Sequence, residues 1–370
     1  MPRTLYTSGY GGEIAVLSFD AVRSSLSVAS TIPAGTAPTW LTLSTIHPIL
    51  YTGDEFNSPS GTLIAFSIAE DGSLAQAGES AEVGEGPVHF ALGKGGKHLY
   101  AACYSGGELT AVGLKDDGTF DTEREKQSFK YRGKGQHKGR QEAPHAHGVA
   151  IDPTGNFLFC ADLGTDQLHV YKIGPQLTEQ PAISLPAGNG PRHLVFAAPS
   201  SSSSRTLLYL VEELSNTVAI FEVLYPSSPD GTLSLNVLQR EVSTLPPDYK
   251  DVPGDWTAAE LDVSPDRRFL YVSNRAPTDP APKSDTLMIA ELSADGIVVE
   301  GRTPTFVSLG GRGPRHFTFS PKTEEDEEGK YLAVAFQRTN EVVVYVVKGK
   351  GLAEVARVKG IKEPTCVVWR

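Results

Sequence analysis

The sequence has few cysteines and no long apolar run, and both absences narrow the class of protein. Only Cys103, Cys160 and Cys366 occur in 370 residues, and no two of them form a C-x-x-C pair. A disulfide framework and a cysteine zinc site are therefore excluded. No stretch approaches the roughly 18 apolar residues of a membrane-spanning helix. The first residues lack a signal-peptide pattern, so the reducing cytoplasm is the predicted compartment.

Positive charge is also scarce. The chain has 33 Lys and Arg against 44 Asp and Glu, a formal net charge of −11 at pH 7. Such an acidic protein is a poor match for nucleic acid or an anionic membrane, and we expect neither as a partner. Hydrophobic residues make up 39% and charged residues 21% of the chain, which is a globular composition. Helix signals are almost absent, while 37 glycines and 26 prolines favour a turn-rich fold.

A pattern of two strands recurs along the chain. A proline or small residue opens an alternating apolar strand, a turn follows, and a second strand begins, typically with Leu-Tyr. Six complete copies span residues 38–55, 86–104, 144–163, 190–214, 257–275 and 313–337. A seventh copy is split, because residues 364–370 provide its first strand and residues 3–10 provide its second.

Two further strand patterns lie between the copies, with Asp-Gly hairpin turns at residues 71–72, 117–118, 230–231 and 295–296. Each repeat therefore predicts four short strands, and radially repeated four-stranded sheets form a β-propeller. We predict an all-β fold, a seven-bladed β-propeller with four antiparallel strands per blade. It is expected to form a single domain over residues 1–370, with one blade closed by pairing of the N- and C-terminal strands.

Long insertions are expected on one face of this propeller. Segments 120–143, 245–256 and 275–285 fall in connections that open on the same face, which is therefore predicted to carry the site. A serine run at 200–204 and an acidic run at 323–329 fall on the opposite face. We interpret these two runs as solvated loop insertions.

Alignment of the repeats places two sets of seven equivalent residues around the predicted channel mouth. The end of the second strand supplies Tyr10, Glu55, Tyr104, Leu163, Glu213, Arg275 and Gln337. The start of the first strand supplies Thr39, Val88, His147, Arg192, Ala259, Arg315 and Thr365. Packing alone would fill equivalent positions with similar residues, whereas these include charged, aromatic and amide groups. Their convergence in one concavity indicates a site for a small molecule.

Structural interpretations of the charged residues stay open at this point. Arg192 and Arg315 could form salt bridges with Glu213 and Glu55. Two further histidines, His193 and His316, fall on the other face of their strands by simple alternation. We interpret them as hydrogen-bonded packing residues between blades.

Three other features also allow two interpretations. His145 and His147 share a strand face, which suits a metal ion, but no third ligand completes the set, so no metal and no cofactor is predicted. Trp256 could be a pocket wall or a packing anchor between blades. The basic segment around His137 could be a solvated loop tip or a rim that attracts an anionic substrate.

The sequence resembles the seven-bladed lactonase family, which contains propeller-type 6-phosphogluconolactonase and fungal carboxy-cis,cis-muconate cyclase. The resemblance covers almost the whole chain and is carried by GYGG (9–12), RQEAPHAHGVAIDPTGNFLFCADLGTD (140–166), GNGPRHLVF (188–196), VEELSNTV (211–218) and GPRHFTFSP (313–321). It implies a metal-independent site in the channel mouth, built from one histidine, two arginines and a glutamate. Matched by motif, these are His145 or His147, Arg192, Arg275 and either Glu212 or Glu213.

The residues and the resemblance together predict a lactonase or lactonising enzyme that acts on a small anionic lactone or polycarboxylate. Arginine can stabilise a developing oxyanion, and a glutamate or histidine can activate water. The predicted catalytic residues are His145, His147, Arg192, Glu213 and Arg275. The predicted substrate-binding residues are Tyr10, Glu55, Tyr104, Trp256, Arg315 and Gln337. Sugar-lactone hydrolysis and carboxymuconate cycloisomerisation both fit this set. A non-catalytic propeller that binds other proteins is the alternative, although it needs no charged convergence in its channel.

Overall fold

The computed structural model describes residues 2–199, 203–228, 231–249, 256–277 and 284–370. Within these residues the chain forms 29 β-strands, numbered β1 to β29 in chain order, and one short 3₁₀ helix at Pro247–Tyr249. The strands are arranged in four positions, counted outward from the central channel.

The innermost strands are β4 (Pro38–Leu43), β9 (Pro87–Leu92), β13 (Ala146–Ile151), β17 (Pro191–Ala197), β21 (Thr257–Val263), β25 (Pro314–Phe319) and β29 (Pro364–Trp369). The second strands are β1 (Arg3–Gly9), β5 (Ile49–Asp54), β10 (His98–Cys103), β14 (Phe157–Asp162), β18 (Leu207–Glu212), β22 (Phe269–Arg275) and β26 (Tyr331–Phe336). The third strands are β2 (Glu13–Asp20), β6 (Gly61–Ile68), β11 (Glu108–Gly113), β15 (Gln167–Lys172), β19 (Thr217–Leu224), β23 (Thr286–Glu291) and β27 (Glu341–Lys348). The outer strands are β3 (Ser25–Pro33), β7 (Leu74–Gln76), β8 (Ala81–Val83), β12 (Gln127–Lys130), β16 (Thr178–Ser184), β20 (Ser234–Ser243), β24 (Thr305–Ser308) and β28 (Gly351–Lys359).

These strands form seven antiparallel sheets, which confirms the predicted seven-bladed propeller. Blade 1 has the order β29-β1-β2-β3, so the split copy closes as predicted, with Leu5 opposite Trp369 and Thr7 opposite Val367. Blades 2 to 7 follow in chain order, and the outer position of blade 2 is shared by β7 and β8. Each innermost strand packs against the next one around the ring, including β29 against β4 and β25.

The hydrophobic core is divided into seven clusters, one between each pair of neighbouring blades. The cluster between blades 7 and 1, for example, packs Leu5 and Trp369 against Ala333 and Val344. Each blade therefore buries both of its faces, and no blade can be removed without exposing two of these clusters.

The tyrosines of three Leu-Tyr pairs form hydrogen bonds with the glycines of three Asp-Gly turns. The hydroxyls of Tyr6, Tyr51 and Tyr209 donate to the carbonyls of Gly72, Gly118 and Gly296, over 3.0, 2.6 and 2.7 Å. Each of these glycines ends an Asp-Gly turn of the next blade, at a positive φ of 78–86°. Since the phenol is buried, this bond satisfies its polar end and ties consecutive blades together.

The predicted long segments need one correction. Residues 127–130, within the segment 120–143 that the sequence suggests is a loop, are the outer strand β12 of blade 3, where they pair with β11. Parts of the other predicted insertions lie outside the described residues, namely 200–202, 250–255 and 278–283. The same holds for Asp230 of the predicted turn at 230–231.

Every innermost strand begins with a β-bulge against its second strand. In blade 5 the pairing shifts between Pro191 and Leu194, so that Arg192 and His193 lie opposite the single residue Val211. Equivalent shifts occur in the six other blades. A bulge interrupts the alternation of side chains and re-aims them, and here it does so at the channel mouth.

We expect deletion of residues 363–370 to abolish cooperative folding or to lower the melting temperature severely. The deletion removes β29, in which Val367 and Trp369 are buried and Val368 is partly buried. Full burial of each large apolar side chain contributes about 1.5–3 kcal/mol, and the net stability of a domain is only about 5–15 kcal/mol. Thermal unfolding followed by circular dichroism checks this, with Val22→Ala, at a 95% exposed position, as a neutral control. A truncated protein that melts with the parent would contradict the split-blade closure.

Candidate active site at the channel mouth

One backbone hydrogen bond recurs at the predicted mouth and fixes the first set of ring residues. The residue that follows the second strand donates its N–H to the residue that precedes the innermost strand of the same blade. Glu55 donates to Ala37, Tyr104 to Gly86, Leu163 to His145, Glu213 to Gly190 and Gln337 to Gly313, over 2.6–3.0 Å. The equivalent positions that the repeats predicted are therefore equivalent in space.

Gly190 shows why a glycine precedes the proline in blade 5. Its φ is +63°, and a Cβ atom there would lie 2.5 Å from Leu214. Its carbonyl accepts from the Glu213 N–H at 2.7 Å, and its own N–H donates to Asp166 Oδ1 at 2.7 Å. Because only glycine adopts this conformation readily, the Gly-Pro-Arg-His motif sets the position of Glu213 as well as that of Arg192.

Glu213 is the centre of a cluster of three arginines. Its Oε2 lies 2.9 Å from Arg192 Nε and 3.1 Å from Arg275 Nη2, and its Oε1 lies 2.6 Å from Arg140 Nη2. The side chains of Glu213 and Arg192 are 3% and 2% exposed, whereas that of Arg140 is 35% exposed. The predicted Arg192–Glu213 salt bridge is therefore confirmed, but it is one contact of a larger charged cluster.

The charged residues of this cluster shift one another's pKa values. Burial by itself would raise the pKa of Glu213, but Arg275, Arg140 and Arg192 hold that pKa well below its ordinary value. Burial and the neighbouring Arg275 lower the pKa of Arg192 to about 9, which still leaves it charged at neutral pH. The cluster thus places three positive charges around one carboxylate, a surplus of positive charge at the mouth of an acidic protein.

A second group at the mouth joins blades 1, 2 and 7. The hydroxyl of Tyr10 donates to the Glu55 carboxylate at 3.3 Å, and the Arg315 guanidinium lies 5.6 Å from the centre of the Tyr10 ring. Arg315 Nη1 also approaches Gln337 Oε1 at 3.5 Å. Burial lowers the pKa of Arg315, but Tyr10, Glu55 and Glu213 together raise it. Arg315 reaches Glu55 through Tyr10 rather than by the direct salt bridge that the sequence suggested.

A third group contains the two predicted histidines. His145 stacks on Tyr104 with ring centres 4.3 Å apart, and its Nδ1 and Nε2 lie 3.1 Å from Tyr104 O and from Glu142 Oε1. Both of its ring nitrogens are therefore engaged. His147 lies edge-on to Tyr104 at 5.6 Å, and its buried Nδ1 has no hydrogen-bond partner among the described residues. Burial and the nearby Arg192 hold the pKa of His147 well below its ordinary value.

Trp256 and Glu212 lie outside the three groups of mouth residues described above. Trp256 packs edge-on against Tyr249, and its carbonyl accepts a hydrogen bond from Asn216 at 2.7 Å. These contacts favour the packing interpretation of Trp256. Glu212, the alternative to Glu213, accepts from Thr217 Oγ1 at 2.6 Å. Glu213 is therefore the carboxylate that meets the arginines.

Arg140 is the residue of the arginine cluster that sequence reasoning did not select. It ends the basic segment around His137, which folds around the buried Gln141: His137 N–H donates to Gln141 Oε1, and Gln141 Nε2 donates to Leu163 O. This fold brings Arg140 to Glu213 across 73 positions of sequence. Arg140 is the first residue of the RQ..PH.H pattern, and that pattern was the signal by which the sequence could have identified it.

Below the mouth, a second set of equivalent residues fills the channel. Trp40, His89, His193, Glu260 and His316 each follow the first ring position of their strands by one residue. His193 is edge-on to Trp40 and to His89, at 5.2 and 4.6 Å, and His316 is edge-on to Trp40 at 4.8 Å. The predicted hydrogen bonding of His193 and His316 between blades is confirmed. Because of the bulge, however, His193 faces the channel together with Arg192, and its assignment to another strand face was wrong.

Two further observations limit the class of site. Among the described residues, no group of three or more His, Cys, Asp or Glu side chains is arranged to hold a metal ion. In the same part of the chain, no helix has the length and apolarity needed to cross a membrane.

Comparison with known proteins agrees with this geometry. The family described as lactonase, 7-bladed beta-propeller, matches residues 4–369. A probable 6-phosphogluconolactonase of Arthroderma benhamiae is 30% identical over 361 residues, which cover 96% of this chain and 86% of that protein. The 6-phosphogluconolactonase of Bacillus subtilis is 27% identical over 345 residues, which cover 92% of this chain and 88% of that protein. A crystal structure of a Lactobacillus plantarum protein has a TM-score of 0.81 at 25% identity and covers all of both chains.

The family match spans nearly the whole chain, and the blades, the Gly-Pro-Arg-His motifs and the charged mouth all lie within it. The resemblance seen in the sequence is thereby confirmed, and the chain belongs to the seven-bladed β-propeller lactonase family, as an enzyme of lactone chemistry.

Proposed function

We propose that this enzyme hydrolyses a sugar lactone that carries an anionic group, with the channel mouth as its active site. The observation that carries the proposal is the convergence of Arg140, Arg192 and Arg275 on the buried Glu213. Three guanidiniums around one carboxylate suit an anionic substrate or oxyanion. Relatives named 6-phosphogluconolactonase support 6-phosphogluconolactone as the substrate.

The reaction begins when water adds to the lactone carbonyl and a tetrahedral oxyanion forms. Arg192 and Arg275 are proposed to stabilise this oxyanion, because their planar forks of donors are already held in place before substrate arrives. Arg192 Nη1 donates to Ala259 O at 2.6 Å, and Arg275 Nη2 donates to Ala258 O at 3.1 Å. The ring C–O bond then breaks, the leaving oxygen takes a proton, and the open-chain carboxylic acid is released.

His147 is proposed to accept the proton of the attacking water and to return it to the leaving oxygen. Its imidazole is neutral at pH 7, and its buried Nδ1 has no hydrogen-bond partner among the described residues, so a ring nitrogen is available for proton transfer. His145 is less suited, since its two nitrogens are occupied by Tyr104 O and Glu142. Glu213, clamped by three arginines, has a low affinity for protons and is proposed to organise the guanidiniums.

Tyr10, Glu55, Arg315 and Gln337 are proposed to bind the rest of the substrate. Tyr10 stacks on Phe56 at 5.1 Å, and Phe56 is 58% exposed. An aromatic surface flanked by a carboxylate and a guanidinium offers both apolar contact and hydrogen bonds, as a sugar ring requires. The cytoplasm stays our prediction for its location, supported by three free, buried cysteines.

A substrate panel tests the proposal directly. The purified chain is assayed with 6-phosphogluconolactone, gluconolactone and carboxymuconate, and the rate of acid release is compared with the uncatalysed rate. Faster opening of the phosphorylated lactone supports the proposal. Turnover of carboxymuconate alone would instead indicate cycloisomerisation, and turnover of none of the three would contradict the proposed function.

We expect Arg192→Ala and Arg275→Ala each to lower kcat/KM by about 10- to 100-fold, the value of a charge-assisted hydrogen bond. Arg192→Lys and Arg275→Lys should rescue poorly, because lysine keeps the charge and loses the planar fork. Arg23→Ala, whose side chain is 81% exposed, is the control. Variants that melt early but keep kcat/KM would show that the arginines form a purely structural network.

His147→Ala should lower kcat by about 10²- to 10⁴-fold, the usual contribution of proton transfer, and should change KM much less. Glu213→Gln should also lower kcat more than it raises KM. His145→Ala is the matched comparison, since it lies two residues away on the same mouth. A larger loss of kcat for His145→Ala than for His147→Ala would reverse the assignment of the proton acceptor.

Activity should not depend on divalent ions. The described residues offer no metal-binding group, and arginines can supply the charge stabilisation that a metal would otherwise give. Dialysis against a chelator should leave the initial rate unchanged. Loss of activity that one specific divalent ion restores would contradict this prediction.

A further inference from the structure

His193 and Glu260 form a buried pair directly beneath the arginine cluster. The two Glu260 oxygens lie 3.1 and 3.0 Å from His193 Nδ1, and Arg192 Nη1 lies 3.2 Å from the same nitrogen. His193 is 2% exposed and Glu260 7% exposed. Both residues occupy the β-bulges of their strands, so the pair spans blades 5 and 6.

With Glu260 ionised, the chemistry of the donors assigns the proton of His193. A guanidinium only donates and an ionised carboxylate only accepts, so His193 Nδ1 cannot serve both neighbours. With its proton on Nδ1, His193 donates to Glu260. Arg192 Nη1 then donates to Ala259 O at 2.6 Å, and Arg192 Nε faces Glu213 at 2.9 Å.

Glu260 is itself held from other directions. Its Oε1 accepts from the Leu261 N–H at 3.1 Å, and its Oε2 lies 3.8 Å from His316 Nε2. His316 Nδ1 accepts from the Val367 N–H at 3.3 Å, so the proton of neutral His316 is on Nε2, on the side of Glu260. Contacts from blades 5, 6 and 7 therefore set the position of this carboxylate.

Packing alone does not require a carboxylate at this place. The equivalent positions of blades 4 and 1 hold Gly148 and Cys366, which are small and uncharged. A buried carboxylate is costly unless it is paired, and burial raises the pKa of Glu260. This carboxylate lies against His193, and the nearby charges of His316, Arg192 and Arg275 oppose the effect of burial on its pKa.

We propose that Glu260 and His193 are positioning residues that hold the Arg192 guanidinium in register with Glu213. They act on Arg192 through the carbonyl of Ala259, which accepts from Arg192 Nη1 at 2.6 Å and directly precedes Glu260 in the bulge, and they do not contact the substrate. The proposal rests on the proposed function, in which Arg192 stabilises the oxyanion.

Variants at both residues separate this role from packing. Asparagine can place its amide nitrogen where His193 Nδ1 lies and donate to Glu260, so His193→Asn should retain the interaction that His193→Ala loses. Glutamine at position 260 brings its own amide donor against His193, Leu261 and His316. Asp262→Asn, two residues further along β21, makes the same carboxylate-to-amide change at a side chain that accepts from the Val263 N–H rather than from His193, and is the matched control.

We expect His193→Ala and Glu260→Gln to lower kcat by about 10- to 100-fold, with KM changed by less than about threefold, since small displacements of a catalytic group cost that much. His193→Asn should recover most of kcat, and Asp262→Asn should match the parent. The proposal would be overturned if His193→Asn were as inactive as His193→Ala. It would also be overturned if the variants had a lower melting temperature but an unchanged kcat.

A readout independent of turnover is the Nε–H resonance of Arg192, assigned by its loss in Arg192→Lys. In the parent, burial of this group 2.9 Å from Glu213 Oε2 should protect the signal from exchange. Glu260→Gln should remove that protection, whereas Asp262→Asn should not, and an unchanged signal in Glu260→Gln would overturn the proposal. If the parent opens no lactone, the proposed function fails, while this resonance still decides the positioning role.

Discussion

The mouth of this propeller depends on the buried carboxylate of Glu213. Arg140, Arg192 and Arg275 come from three different segments, and each would be repelled by the other two if Glu213 were absent. Pairing offsets the cost of burying four charges, and removal of one partner from such a set is more harmful than a surface change. The cluster thus exists only when blades 5 and 6 and the loop before β13 are in place together.

The position of that carboxylate follows from features that the repeats share. In blades 1 to 5 and in blade 7, a backbone hydrogen bond joins the residue after the second strand to the residue before the innermost strand, and a bulge follows at once. Blade 5 uses this common geometry for Glu213, Arg192 and His193, whereas blade 2 uses it for Glu55 and Trp40. The scaffold is therefore constant, and the chemistry changes only in the side chains that it carries.

Much of this could be predicted from the sequence, because the repeat is visible in it. The Leu-Tyr and Asp-Gly patterns identify strands and turns, and the split copy predicts that residues 364–370 pair with residues 3–10, as β29 and β1 do. Side-chain partners were harder to predict. Arg140 reaches the site through the fold of a basic loop around Gln141, which no periodicity reveals. His193 was assigned by simple alternation, and a bulge reverses that rule locally. The acidic residue Glu260, within an apolar strand, was a signal that alignment of the second ring position would have exposed.

The two rings of channel residues have different roles. Beneath the mouth, Trp40, His89, His193 and His316 are aromatic and neutral, and their edge-to-face contacts leave little freedom to move. Above them, Arg192 and Arg275 are held close together by Glu213 and by the carbonyls of Ala259 and Ala258, although their charges repel each other. That repulsion is an unfavourable contribution at the mouth, and a bound anion or a developing oxyanion would relieve it. The rigid packing of the lower ring allows the upper ring to hold like charges close together. The packing of the channel and the chemistry at its mouth therefore both depend on these two stacked rings.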